Sequence, residues 1–264
     1  MSIALGTLIP AQAAAQFTVW KDGVAIFSID DGIPDFFTFE YYPAGATYDA
    51  TPDESVGGSV PDVADAVDLG LPSGTLWAPW NIGATKASEA GAYFAWGEIK
   101  AKDSYTLANY EYSENGTGEA DDFTKYNGKD GKTRLDAGDA ALRNWGAKWI
   151  IPTFVQLCEL FDECTWEWKE ENWDGDGSLA GYLLTSKTNE NTLFMPATGI
   201  SGDALGEKGA YWSSDLAGVN DCVRALSCEF ENDPEYKEGD EYASGGARLR
   251  YRGLSIRPVR SSQK

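Results

Sequence analysis

Histidine is absent from all 264 residues of this chain, and the absence removes several chemistries at once. There can be no Ser-His-Asp triad, no His-ligated zinc and no imidazole titrating near neutral pH. Positive charge is scarce: 21 Lys and Arg stand against 42 Asp and Glu, a formal net charge of −21. Such a chain repels phosphate backbones and anionic lipid surfaces, which argues against nucleic-acid and membrane-surface partners. No run reaches the ~18 apolar residues of a membrane span, which argues against membrane insertion. Four cysteines are too few for a disulfide scaffold and none form a close Cys-x-x-Cys metal pair.

The chain does contain 29 Gly, 10 Trp and 13 Tyr, with 42% hydrophobic and 24% charged residues. These are globular proportions. Many glycines beside many large rings predict a loop-rich fold in which aromatic side chains anchor irregular backbone.

At the amino end, Ile3–Ile9 followed by Pro10–Gln16 reads as a leader remnant, a short apolar run and then small residues, although no basic residue precedes Lys21. This suggests export. Phe17–Ile29 predicts a hairpin about Asp22-Gly23, a strong two-residue turn signal, and Ile33–Tyr42 a third strand. The small β segment 17–42 buries too little to stand alone and offers its strands to a partner subunit. Residues 43–66, rich in Pro, Gly, Ala, Ser and Asp, read as a linker.

From Val67 the texture becomes that of an α+β domain, with two short helices and antiparallel strands, extending to about residue 260. Val67–Trp77 reads as strand, Pro-Ser-Gly turn and strand, residues 86–96 as opening with a short helix, and 97–135 as one long irregular loop. A helix capped by Asp136, with Asp139 in its first turn, should end at Gly146. A second should begin at Thr153, where Gln156 completes a capping-box spacing and Leu157, Leu160, Phe161 and Cys164 form one stripe. Gly181–Ser186 and Thr192–Thr198 form a hairpin, and Tyr211–Ser214, Cys222–Cys228 and Leu249–Val259 supply further strands.

Ordered blocks through this domain carry a resemblance: Val67–Trp77, Asn81–Thr85, Tyr93–Glu98, Asn144–Gly146, Ile151–Thr153, Cys164–Trp166, Tyr211–Ser214 and Gly253–Val259. Together they resemble the Fibrobacter succinogenes major paralogous domain family over about 67–260. Ile150, where that pattern has an arginine, is a departure, as are the acidic insertions near 114–122, 171–178 and 229–241. Phe17–Phe39 also resembles a leader region of Bacteroidetes surface proteins. The resemblance implies a C-type-lectin-like fold, shared with formylglycine-generating enzymes and with the variable proteins of diversity-generating retroelements. On such a scaffold the expected function is a secreted or surface-displayed binder of protein or glycan, a fimbrial or phage-tip adhesin or a retroelement-diversified receptor binder, without covalent chemistry. An oxidase using Cys222 and Cys228, and a structural fimbrial or phage-tail subunit, are the alternatives.

Four features are candidate sites. In a strand, Arg248, Arg250 and Arg252 would share one face and suit a carboxylate or sulfate. Neutralisation by Glu229, Glu231, Asp233, Glu235, Glu238, Asp240 and Glu241 is the plainer account of the same stripe. Asn220 and Asp221, supported by Trp212, would complete a ligand surface over 211–252. Trp168 and Trp173 are candidate sugar-stacking rings, with Trp166 assigned to the core. Asp174 and Asp176 begin a calcium-loop pattern, yet the twelfth position from Asp174 is Thr185 and not Glu; a solvated acidic turn is the simpler reading, and no other cofactor is expected.

Overall fold

The structure, a computed structural model, describes residues 17–21, 24–29, 56–129, 132–135, 139–146, 148–218, 221–232 and 243–261. The chain divides into two units, 1–49 and 50–264. In the first, β1 (Phe17–Lys21) and β2 (Val24–Ile29) pair antiparallel with a slip of register between Val19 and Trp20. The expected leader, the Asp22-Gly23 turn, the third strand and residues 43–55 of the linker lie outside the described residues.

Residues 56–66, expected as linker, are fastened to the second unit. Val56 and Pro61 are buried, Ser59 N–H donates to Ala84 O at 2.9 Å, and Trp80 Nε1 donates to Ser59 O at 2.8 Å. Gly58, at φ +75°, permits this approach, because a Cβ there would collide with the backbone of Gly83 and Ala84.

Among the described residues, the second unit holds three small sheets, two α-helices and short 3-10 turns. Strands β3 (Val67–Asp68) and β4 (Thr75–Trp77) pair as their sequence suggests, and β11 (Val259–Ser261) returns from the far end of the unit to pair with β4. The second sheet is β5 (Cys164–Lys169), β6 (Gly181–Ser186) and β7 (Thr192–Pro196), antiparallel throughout. The third places β9 (Asp221–Glu231) between β8 (Lys208–Gly218) and β10 (Ala243–Leu249). This is a mixed helix and strand architecture with antiparallel ladders.

The first helix, α1 (Ala140–Trp145), starts later than expected: Asp139 is its cap, with Oδ1 accepting from Leu142 N–H, and Gly146 ends it at φ +86°. The second, α2 (Phe154–Glu163), begins at the Thr153–Gln156 capping box. Leu157 and Leu160 are buried from its stripe, while Cys164 already opens β5. Residues 86–96 carry turns and no helix; the backbone bond within them is Glu89 N–H to Lys86 O, and the Glu89 carboxylate accepts from Thr85 N–H at 2.7 Å. Their Gly91 adopts φ +72°, outside the helical region.

Two apolar clusters result. One gathers Phe94, Trp96, Tyr110, Tyr112, Phe123, Tyr126 and Trp212 about the loop 97–135, whose described residues hold two short 3-10 turns at Leu107–Asn109 and Ala120–Asp122 and single bridges from Ser113 to Phe123 and from Arg134 to Asp215. The other joins Leu157 and Leu160 of α2 to Trp166, Leu184 and Met195 of β5–β7 and to Tyr211, Cys228 and Phe230 of β8 and β9.

Candidate functional site

The expected arginine face does not form. Strand β10 ends at Leu249, and Arg252 N–H closes a turn onto Leu249 O at 2.9 Å, so the two-residue alternation lapses between Arg248 and Arg250. The three guanidinium groups go to three environments. Arg248 forks onto Glu229 of β9, with Nε to Oε1 at 2.7 Å and Nη2 on Oε2. Burial alone would raise the Glu229 carboxyl; the bonds from Arg248 and Ser227 outweigh it and hold the group below its ordinary value. Arg252 is exposed to solvent.

Arg250 is wholly buried. Its Nε donates to Tyr110 Oη at 3.0 Å, Nη1 to the carbonyls of Tyr126 at 3.1 Å and Cys222 at 3.0 Å, and Nη2 to Lys125 O at 3.0 Å. Trp96, Tyr110, Phe123 and Tyr126 surround the guanidinium carbon at 4.7 to 6.0 Å. Tyr126 is held at φ +51°, a costly backbone for a bulky residue, in the position that aims its carbonyl at the guanidinium. This arginine holds the loop 97–135 in place and presents nothing to a ligand.

The rest of the expected 211–252 surface disperses as well. Trp212 is 1% exposed and its Nε1 donates to Phe94 O at 2.7 Å. Asp221 is engaged by Arg224, Nε to Oδ2 at 2.8 Å. Asn220 lies outside the described residues.

Trp168 and Trp173 are separated by the sheet β5–β7. Cross-strand partners share a face, so Trp166–Leu184–Leu193 and Trp168–Tyr182–Met195 point together towards α2 and the core. Trp168 stands edge-on to Tyr182 at 5.0 Å, and its buried Nε1 has no partner. Glu167–Leu183–Phe194 face the other way. There Trp173, 42% exposed, lies on Phe194 with ring centroids 5.2 Å apart at 39°. The two indoles therefore form no common platform, and Trp173 alone is an accessible stacking ring.

The loop carrying Trp173 is braced from within. Asn172 N–H donates to Ser178 O at 2.8 Å, Asn172 Oδ1 accepts from Gly177 N–H at 2.8 Å, and Asp174 Oδ1 accepts from Asp176 N–H at 2.9 Å. Lys86 Nζ reaches Asp176 O at 2.8 Å and Oδ2 at 2.7 Å. The oxygens expected for calcium are thus engaged with amides and an ammonium. Among the described residues no group of three or more Cys, Asp or Glu side chains is arranged to hold a metal.

All four cysteines are free. Cys222 and Cys228 lie six residues apart on the unbroken β9, about 20 Å by strand rise, and belong to different clusters. Burial pushes the Cys228 thiol far up and that of Cys164 to about 11. Reactive cysteines have the opposite character.

Sequence reasoning missed the outward face of β5–β7, because Cys164 reads as the end of the helix stripe and no strand is expected over 164–169. The signal was the alternation of ring and polar residue over 164–169, a strand period. It also missed Arg257, buried, with Nε on Asn81 Oδ1 at 2.7 Å and Nη2 on Phe194 O at 3.0 Å, which ties the tail of the unit to its beginning and to β7.

Comparisons of the chain with protein-family models, with curated proteins and with solved structures each return no match.

Proposed function

We propose that this chain is a non-catalytic binding protein of the surface-displayed or secreted adhesin type, built on a C-type-lectin-like scaffold similar to the Fibrobacter succinogenes major paralogous domain. The observation that carries the reading is the Arg250 hub. Ordering some forty residues of irregular polar chain costs on the order of 1 kcal/mol per residue of backbone entropy. Arg250 and its ring of aromatics fix that stretch instead of leaving it free. A frame that holds an irregular surface rigid lowers the ordering cost of recognition. Two further features support the reading: β11 pairs with β4, which joins early and late strands of the unit, and the thiols of Cys164 and Cys228 are buried and pushed up, unlike those of reactive cysteines.

The test is binding of the full chain to panels of immobilised glycans and proteins, read by biolayer interferometry. Saturable binding that survives alkylation of the half-buried Cys158 is expected. A chain that binds nothing on either panel overturns the proposal.

A further inference from the structure

We infer that the outward face of the sheet β5–β7, walled at one end by Trp173, is a binding site for a neutral, hydroxyl-rich polysaccharide. The inference rests on the binding-protein reading and names the ligand class and the surface.

Strand register defines the face. Strand pairing aligns Thr165 with Thr185 and Thr192, and Glu167 with Leu183 and Phe194. Thr165, Glu167 and Thr192 are exposed, Leu183 and Thr185 half-buried. Three strands at ~4.8 Å spacing and four residues at ~3.4 Å rise give a surface of about 10 by 13 Å. Trp173 stands over Phe194 at one end of it. The Phe194 ring braces one face of the indole, and the loop bonds of Asn172, Asp174 and Lys86 fix the backbone.

This chemistry selects among ligands. A sugar ring presents C–H groups to an indole face and hydroxyls to neighbouring polar groups, and the face offers both, an amphipathic ring beside hydroxyls and a carboxylate. Glu170, Glu171, Asp174 and Asp176 are exposed around Trp173, and Glu167 lies on the face itself, bonded to Lys169. That negative field opposes uronates and sulfates, while neutral hydroxyls donate to carboxylates. A protein partner fits poorly, since a stable interface buries about 800 Å² per side around a desolvated apolar centre. This patch is several-fold smaller and has one accessible ring.

The experiment is affinity gel electrophoresis of the full chain through xylan, mannan and mixed-linkage β-glucan, with polygalacturonate as the acidic comparison. Wild type should be retarded by at least one neutral polymer and not by polygalacturonate. Trp173→Ala should weaken that retardation at least tenfold, whereas Trp173→Phe, which keeps a stacking face, should stay within about threefold. Thr192→Arg, which fills the face without altering the loop, should weaken binding as Trp173→Ala does and covers the case in which that variant fails to fold. Retention of wild-type binding by Trp173→Ala or Thr192→Arg overturns the site, as does retardation by polygalacturonate alone or by no polymer. A chain that binds a protein on the panel but no neutral polysaccharide overturns this inference and leaves the broader proposal standing.

Discussion

The loop half and the sheet half of the larger unit solve the same problem by different means. In the sheet half, ladders satisfy the backbone, and one interior is filled by Leu157 and Leu160 of α2, Leu184 and Met195 of β5–β7 and Phe230 of β9. In the loop half, residues 97–135 have almost no ladder to join, and buried carbonyls still need donors. Charge does there what hydrogen-bonded strands do elsewhere. Arg250 supplies donors to three carbonyls and a phenol, and Asp122, also buried, accepts from Ser113 Oγ and from the amides of Asn115 and Gly118. Irregular backbone can be packed as tightly as regular backbone, provided that a polar centre replaces the missing pattern.

The largest expected effect breaks that centre. Arg250→Met removes the donors and strands three carbonyls, at about 1–3 kcal/mol for each left unsatisfied. A loss of roughly 4 kcal/mol in denaturant unfolding is expected, with amide exchange accelerating first over 105–127. Arg250→Lys should recover only a fraction, because one ammonium cannot reproduce the planar fork. Leu184→Ala, in the sheet half, should cost about 3 kcal/mol through its cavity, and its exchange should rise evenly over α2 and β5–β7. Equal exchange patterns in the two variants would erase the distinction between the halves.

Legibility in the sequence divided along the same line. Where structure is periodic, residues announce it: the Thr153–Gln156 box, the Leu157–Leu160 stripe, the Asp68–Thr75 turn and the β6–β7 hairpin all stand where their spacing puts them. The irregularity of 97–135 was legible as well, from its glycines and tyrosines. What held it was not, since Arg250 meets Tyr110 and Lys125 across more than a hundred residues and no local pattern encodes that. The arginine face failed for a related reason: alternation was extended past Leu249, where the chain turns. For the candidate site, Trp173 was legible as an aromatic in an acidic insertion. Its separation from Trp168 depended on the register of β5, where no strand is expected from the sequence.

Acidity distinguishes two buried carboxylates, Asp122 in the loop and Asp139 at the start of α1, and gives the next effect in size. Asp139 caps α1 and also accepts from Ile151 N–H at 2.9 Å; burial outweighs the amide bonds of Leu142, Ile151 and Ala141 and pushes its carboxyl up to about 6. A raised folded-state value means that the stabilisation is full below about pH 4 and is lost as pH rises through 6. At one pKa unit per 1.36 kcal/mol, the loss approaches 3 kcal/mol as an upper bound. Asp122 behaves oppositely: the Ser113 hydroxyl and loop amides hold it at about 2, so its contribution is present above pH 4 and fades towards pH 2. Unfolding free energy measured from pH 4 to 7 should fall more steeply in wild type than in Asp139→Asn, and a carbon-detected carboxyl titration should place Asp139 near 6. Parallel slopes in the two proteins would show that the acidic chain as a whole, and not this carboxyl, sets the dependence.

The smallest effect sharpens the contrast from the sheet side. Thr153, half-buried, caps α2 through Gln156, whose Nε2 donates on to Thr75 Oγ1 at 2.8 Å, so this polar chain starts at a helix end, apart from the buried Arg257 that bonds Phe194 O. Water can replace the hydroxyl there, which it cannot do at Arg250. Thr153→Ala should therefore cost about 1 kcal/mol, leave exchange in β5–β7 unchanged and fray only the first turn of α2. If the loss instead rivals that of Arg250→Met, the Thr153–Gln156–Thr75 chain is a buried polar centre in its own right. The sheet half would then depend on charge and hydrogen bonding as deeply as the loop half does.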